Sequence, residues 1–418
     1  MKKPPGERLR WNRDFALLWS GQALSQLGTQ MDVIAYPLLV LAITGSPSWA
    51  GVVGFAQTIP FLLFALPAGA LVDRWDRRRV MIFSDGTRCL LLTFLVVAIA
   101  TGWVGLPLVV AVAFAEAVLG IFFNIAGQGA VRSLVPKEFL GVAAARLQAR
   151  DATAALVGGP VGGALFGVHR VLPFVGDALS YLFGAVSTLL IKQPFQETAR
   201  TKPESIVAAV KAGLRFAWRE PFIRASALMG GAANTIGSAV VLLSIIIAKE
   251  NGSSPTSIGA LSALIGLGGI LGALAVPVLQ RRLSKTAIFV GVGWWWVLLI
   301  PLMAFTGNPY LLGLIGAALT FPFSTWNAVA FARVVGLTPD GIFGRVQSVN
   351  QLISRAMTPL GPLGAGIGYA ILGPIPTVLV LVALTLIMAL GGTMSRGLRQ
   401  IKAEDAEEVE EATPTLAR

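Results

Sequence analysis

The sequence is short of the residues on which most protein chemistry depends. It contains one cysteine, Cys89, and one histidine, His169. A disulfide framework or a thiolate metal cluster needs several cysteines. A histidine-rich metal site or a histidine-based catalytic pair needs more than one imidazole. Charge is scarce too: Asp, Glu, Lys and Arg make up 13% of the 418 residues. A soluble domain carries about 25%. No glycine-rich run leads into the Lys-Ser/Thr of a phosphate loop; Gly266-Leu267-Gly268-Gly269 continues into apolar sequence. An ATP-driven pump is therefore excluded for the chain by itself, no cofactor motif is present, and no covalent chemistry is implied.

What is abundant is apolar. Hydrophobic residues reach 55% and mean hydropathy is +0.73. That balance excludes an ordinary soluble enzyme. It also excludes a nucleic-acid binder, despite a net charge of +12. Barrel strands alternate apolar and polar residues over ~10 positions, whereas the runs here are longer and continuous. A membrane-spanning helix needs ~20 apolar residues. Twelve such spans are expected, at 15–43, 49–71, 80–101, 106–131, 145–168, 171–191, 222–248, 255–279, 286–306, 309–335, 346–372 and 374–395. Lys2, Lys3, Arg8 and Arg10 before the first resemble a signal-peptide n-region. That run is too long and lacks a small-residue cleavage site, so it reads as an uncleaved span.

Basic residues orient the spans, because Lys and Arg collect in cytoplasmic loops. Of the 33 basic residues, all but Arg88, Arg170 and Lys249 fall on one side. Both termini are then cytoplasmic, as an even number of spans requires. The positive charge is mostly this bias beside anionic lipid. The high content of Ala, Gly and Arg suggests a bacterial source, hence a bacterial cytoplasmic membrane.

The chain also repeats itself. Leu134, Pro136 and Gly141 recur as Leu337, Pro339 and Gly344, and Gly159-Pro160-Val161-Gly162 recurs as Gly361-Pro362-Leu363-Gly364, at a nearly constant offset. The expected organisation is a six-helix half over 1–191, a linker over 192–221, a second half over 222–395 and a tail over 396–418. Lys211, Arg215 and Arg219 lie at helical spacing beside Leu214, Phe216 and Trp218, which predicts an amphipathic surface helix; a solvated linker is the alternative. The acidic tail reads as disordered.

Residues 69–79 read Gly69-Ala70-Leu71-Val72-Asp73-Arg74-Trp75-Asp76-Arg77-Arg78-Arg79. This resembles the signature loop between helices two and three of the major facilitator superfamily, with Asp76 in place of its second glycine. With Asp32-Val33-Ile34-Ala35-Tyr36-Pro37-Leu38, Asp177-Ala178-Leu179-Ser180-Tyr181 and Gly213-Leu214-Arg215-Phe216-Ala217-Trp218-Arg219, it is similar to the drug–proton antiporter branch that contains macrolide and enterobactin exporters. Gly159-Pro160-Val161-Gly162-Gly163 resembles the helix-five motif of antiporters. One departure stands out. The family's helix-four motif has an Arg before a Gln-Gly pair, and here Glu116 precedes Leu119-Gly120. The resemblance implies an all-α membrane protein of twelve transmembrane helices in two six-helix halves. It also implies alternating access to a site between the halves and a gate at Gly69, Asp73, Arg74, Arg77 and Arg78, with Asp73 near Gly344 at a helix N-terminus. Close packing is the alternative for Gly159, Pro160 and Gly163, and topology setting for the basic loop.

Charges in mid-membrane are costly and functional by default. Asp32 and Glu116 lie about 15 Å from the outer ends of spans one and four at 1.5 Å per residue. Ser25, Thr29, Asp32 and Tyr36 share one face of span one, with Gln22 beside it. Asp32 is expected as the main proton carrier, and Glu116 as its partner or as a contact for a cationic substrate. A neutral, hydrogen-bonded structural acid is the alternative for either. Asn124 and Gln128 line a cavity or bond between helices. Asp177 is expected in a helix-end hydrogen bond, and Asp85–Arg88 as a structural ion pair near the cytoplasmic face. The second half offers neutral candidates for substrate: Asn234, Ser238, Trp326, Asn327, Asn350 and Gln351. Trp294, Trp295 and Trp296 cannot share one helix face and are expected to pack.

The expected function is proton-coupled export of small amphipathic molecules, such as drugs, secondary metabolites or siderophores, by a monomer in a lipid bilayer. A proton-linked metabolite importer, a lipid translocase and a non-transporting receptor remain alternatives. Few strong polar groups in the second half weigh against sugar-like substrates, and the deep carboxylates against a receptor.

Overall fold

The computed structural model describes residues 13–195, 206–339 and 342–395. Lys2, Lys3, Arg8, Arg10, residues 196–205 of the expected linker and the tail over 396–418 lie outside them. The described chain is helical throughout. Its first helices are α1 (Arg13–Thr44), α2 (Pro47–Val72), α3 (Arg77–Ala100), α4 (Leu106–Leu134), α5 (Leu140–Val168) and α6 (Leu172–Leu190). A shorter α7 (Ile206–Arg219) follows. Then come α8 (Pro221–Glu250), α9 (Pro255–Arg282), α10 (Lys285–Leu299), α11 (Pro309–Leu337), α12 (Phe343–Ala356), α13 (Leu360–Leu372) and α14 (Pro374–Met394).

Local chemistry sets the helix ends. α1 stops at Gly45, at φ +63°, whose N–H donates to Leu41 O at 3.0 Å. This is a left-handed glycine stop, and Pro47 then opens α2. Asp76, the departure from the signature glycine, is the N-cap of α3: its Oδ1 accepts from Arg79 N–H at 3.0 Å. Ser284 caps α10 in the same way, accepting from Ala287 N–H at 3.1 Å. Both basic loops therefore end in a side-chain cap that satisfies an otherwise orphan amide.

Eleven helical stretches among the described residues are long and apolar enough to cross a membrane. The expected span 346–372 is different. It is two helices, α12 and α13, parted at Met357–Pro359. Pro359 disfavours the helical conformation at Thr358, and Pro362 has no N–H to give to Thr358 O. The hydrophobic count saw one stretch; the prolines divide it.

The chain forms two compact units, Met1–Pro203 with Ile245–Ala263, and Glu204–Ser244 with Leu264–Arg418. In the first, α1 is central and packs on α6, α5, α2 and α4, while α3 lies on α6 and α4. Lipid is as apolar as leucine, so association of spanning helices rests on close packing and interhelical hydrogen bonds. Small residues supply the closeness. A Cβ on Gly21 would lie 3.0 Å from Ser187 Cβ of α6. The repeated Gly-Pro pair does the same in each unit. A Cβ on Gly159 would lie 2.4 Å from Ser262 Cβ, within the first unit. One on Gly361 would lie 2.2 Å from Thr235 O, within the second. The end of the first unit near its basic loops is filled by Phe15, Leu18, Met81, Phe123 and Ile191.

Candidate functional site

Four helices of the first unit bring five charged side chains to one place. Asp32 comes from α1, Asp85 and Arg88 from α3, Glu116 from α4 and Asp177 from α6. All are buried: Asp85 and Asp177 are 0% exposed, and Asp32, Arg88 and Glu116 5%. One carboxylate oxygen from each of Asp32, Glu116 and Asp177 lies within 4.8 Å of the others. Glu116 Oε2 accepts from the Tyr36 hydroxyl, and Tyr36 is held edge-on by Phe174 at 5.2 Å. Asp177 Oδ1 accepts from Ser180 Oγ at 2.8 Å. Asp32 Oδ1, Glu116 Oε1 and Asp177 Oδ2 have no hydrogen-bond partner among the described residues.

Arg88 is the cation of this cluster. Its Nη1 lies 3.7 Å from Asp85 Oδ1. Its Nη2 donates to Thr29 Oγ1 at 3.2 Å and to the Tyr181 hydroxyl, and its guanidinium stands 3.8 Å over the Tyr181 ring. The helices leave room where the acids enter. A Cβ on Gly28 would lie 1.7 Å from Asp177 Oδ1, and one on Gly184 2.4 Å from Asp85 Oδ2.

The chemistry follows from charge balance. Four carboxyl groups face one guanidinium. Full ionisation would leave uncompensated negative charge in a buried setting, where each unpaired ion costs several kcal/mol. Uptake of protons or of a cation restores neutrality. The three converging oxygens of Asp32, Glu116 and Asp177 are the groups able to receive either.

The expectations for neighbouring residues resolve in different ways. Thr29 and Tyr36 belong to the cluster, and Ser25 is buried one turn before Thr29. Gln22 instead accepts from Arg150 Nη1 of α5 at 2.6 Å. Asn124 and Gln128 are exposed on α4. Asp177, expected in a helix-end bond, lies in the cluster. The Asp85–Arg88 pair exists, but Arg88 is mid-helix and reaches the acids rather than a membrane face. The missed members share a signal that was available. Asp177, Ser180 and Tyr181 are spaced i, i+3, i+4, one face of α6.

In the second unit Trp326 stacks on Phe323 at 5.5 Å and on Phe289 at 5.9 Å. Its Nε1 is buried without a partner among the described residues. Asn234 Nδ2 donates to Ser354 O at 3.0 Å, and Ser238 Oγ to Thr358 O at 3.2 Å. The first serves the carbonyl left when Thr358 N–H turns to Arg355 O at the α12–α13 break, and the second shares Thr358 O with Gly361 N–H. Asn350 is half-buried; Asn327 and Gln351 are exposed. The three tryptophans point apart, and only Trp296 packs as expected: it is buried against Phe323 and donates to Leu319 O at 2.9 Å, whereas Trp295, which donates to Ala318 O at 2.8 Å, and Trp294 are exposed.

In the signature loop Gly69 O accepts from Asp73 N–H at 3.1 Å. The Asp73 side chain is 74% exposed and lies 3.7 Å from Arg77. Arg77 Nη1 donates to Phe195 O at 3.3 Å and Arg78 to Leu189 O. The loop's arginines are thus tied to the end of α6 and the segment after it. Arg74 and Gly344 are exposed.

Residues 9–417 match the profile of a family described as transmembrane secretion effectors. The chain is similar to the multidrug efflux pump Tap of Mycolicibacterium fortuitum, with 28% identity over 365 residues, 84% of this chain and 87% of the relative. It is 24% identical over 378 residues to the multidrug resistance protein MdtG of Escherichia fergusonii, 86% of this chain and 89% of the relative. The fold matches the inward-facing crystal structure of a bacterial homolog to the human lysosomal transporter Spinster, with TM-score 0.74 and 12% identity, over 97% of this chain and 99% of that one. It matches a mutant of the nucleoside transporter NupG equally well, with TM-score 0.74 and 13% identity, over 91% of this chain and 99% of that one. At these identities the structures speak to fold, while the profile speaks to ancestry along almost the whole chain. The protein belongs to the transmembrane secretion effector family of the major facilitator superfamily: it is a multi-pass bacterial membrane transporter of small molecules, and not an enzyme.

Proposed function

We propose that the protein is a proton-coupled exporter of small amphipathic molecules, of the drug–proton antiporter kind, resident in the cytoplasmic membrane with both termini inside. The observation that carries this reading is the convergence of Asp32, Glu116 and Asp177 on one buried place with a single guanidinium nearby. A proton can drive an alternating-access cycle only through a group that binds it more tightly in one state than in the other. Asp32 is the main proton carrier, Glu116 and Asp177 share the load, and Tyr36 and Arg88 position them. Export as the direction, and drug-like compounds as cargo, are supported by the names of the efflux pump Tap and of MdtG. The aromatic group Phe289, Phe323 and Trp326 supplies apolar contacts of the kind such cargo needs. The signature loop, through Asp73, is the gate on the cytoplasmic side.

The test is efflux of hydrophobic dyes and antibiotics from cells expressing the wild type or Asp32→Asn at matched surface levels, with and without a protonophore. Loss of efflux by both mutation and protonophore is the expected result. Efflux that ignores the protonophore overturns proton coupling. Efflux that needs the gradient but not Asp32 moves the carrier to Glu116 or Asp177. No efflux by well-expressed wild type removes the exporter reading.

A further inference from the structure

In the second unit, α8 and α14 part to leave a cleft of about 290 Å³. Its walls are apolar, chiefly Leu228 and Met229 from α8 facing Ile387, Met388 and Gly391 from α14. Leu228 and Ile387 are exposed, which sets the direction in which the cleft opens. α14 carries no charged side chain, and its threonine hydroxyls bond back to their own helix: Thr377 to Gly373 O, Thr385 to Leu381 O and Thr393 to Ala389 O. Its exposed residues, from Ile375 through Leu379 and Ile387 to Met394, form an apolar stripe along the helix. That stripe is the face a spanning helix offers to hydrocarbon.

One charged group stands on this apolar trough. Arg224 lines its end nearest the start of α8. Its Nη1 donates to Trp218 O at 3.0 Å, and among the described residues no carboxylate pairs with it. Trp218 belongs to α7. The buried side of that helix, Gly213 and Ala217, packs on α12, where a Cβ on Gly213 would lie 2.6 Å from Arg345 O. The opposite side presents Lys211, Leu214, Arg215, Trp218 and Arg219. Leu214 is 43% and Trp218 51% exposed. A helix with a basic and aromatic free face lies in the headgroup layer, and tryptophan marks that depth. An apolar trough among spanning helices therefore ends at a guanidinium, that of Arg224, tied to the backbone of this surface helix.

We propose that this cleft binds an anionic phospholipid of the bilayer. One acyl chain lies between Leu228–Met229 and Ile387–Met388, and the phosphate takes the unpaired side of the Arg224 guanidinium, with Lys211, Arg215 and Arg219 adding long-range attraction. Charge complementarity selects an anionic over a zwitterionic headgroup. The inference is independent of what the protein transports.

The full chain is purified in detergent, supplied with equimolar phosphatidylglycerol and phosphatidylcholine, and examined by native mass spectrometry. Wild type is expected to retain phosphatidylglycerol at least fivefold over phosphatidylcholine. Arg224→Gln is expected to abolish that preference, and Arg224→Lys to keep most of it. Gly391→Phe plugs the trough. A Cβ there meets nothing within 4 Å, so the variant is expected to fold and to lose the retained lipid of either kind. Equal retention of both lipids by wild type overturns the proposal. So does an unchanged preference in both Arg224→Gln and Gly391→Phe, which assigns the lipid to another surface. Should Arg224→Gln fail to purify as a single species, the Gly391→Phe result decides alone.

Discussion

Asp177 and Arg88 show what a single side chain does in this protein. Each is buried in a spanning helix, and each would be an uncompensated charge without the other members of the cluster. Removing one partner of a buried charge group is costly because it leaves the rest unpaired. Asp177→Asn keeps the shape and the Ser180 contact while removing the ionisable group. It is expected to cut gradient-driven efflux at least tenfold with surface expression unchanged. Arg88→Gln is expected to do more, lowering both efflux and the yield of folded protein, because Asp85 loses its only cation among the described residues. Efflux from energised cells, normalised to protein detected at the membrane, separates the two effects. Wild-type efflux by Asp177→Asn would reduce Asp177 to a packing residue.

At the scale of elements, helix spacing governs the site. α1 approaches α6 closely enough for Asp177 to reach the acids of α1 and α4 only because residue 28 has no side chain. Gly28→Ala places a methyl group 1.7 Å from Asp177 Oδ1, so the helices separate or the carboxylate leaves. Overpacking of this kind costs about 1–3 kcal/mol. Gly86→Ala in α3, where a Cβ meets nothing within 4 Å, is the matched control. A thermal-denaturation assay in detergent is expected to show a drop of several degrees for the first and none for the second. Equal melting of both would mean that the α1–α6 contact is looser than the packing implies. The α12–α13 break belongs to this scale as well. At the break Thr358 N–H turns to Arg355 O and leaves Ser354 O for Asn234, while Ser238 bonds to Thr358 O, which turns two expected substrate contacts into ties between helices.

At the scale of the whole molecule, transport requires two states of similar free energy, and a ligand or a proton shifts the balance only through a difference in binding between them. The signature loop is proposed to bias that balance. Asp73→Asn removes a charge that is exposed at the surface of the first unit, so folding is expected to be unaffected. The population is expected to move toward the state open on the basic-loop side. Cys89→Ser supplies a cysteine-free background for reporter cysteines placed beside the loop. Their alkylation by a membrane-impermeant maleimide in inside-out vesicles is expected to rise at least threefold in Asp73→Asn. Unchanged labelling would remove the gate and leave the loop a topological role.

Hydropathy runs are properties of consecutive residues, so the number of apolar stretches, the helical class and the basic-loop asymmetry were legible without coordinates. The signature loop and the Gly-Pro repeat were legible for the same reason, and Asp32 and Glu116 stood out because a mid-span carboxylate is costly wherever its neighbours lie. Which charges meet is a different matter. Asp85, Arg88 and Asp177 look like local pairs and helix-end caps along the chain. They join Asp32 and Glu116 only through the packing of α1, α3, α4 and α6, which spacing within one helix does not encode. The same holds for Gln22, drawn to Arg150 instead of the acids, and for the division of 346–372, where backbone sterics at Pro359 overrule hydrophobicity. Composition chose the solvent and the helices, and tertiary packing chose the company each buried charge keeps.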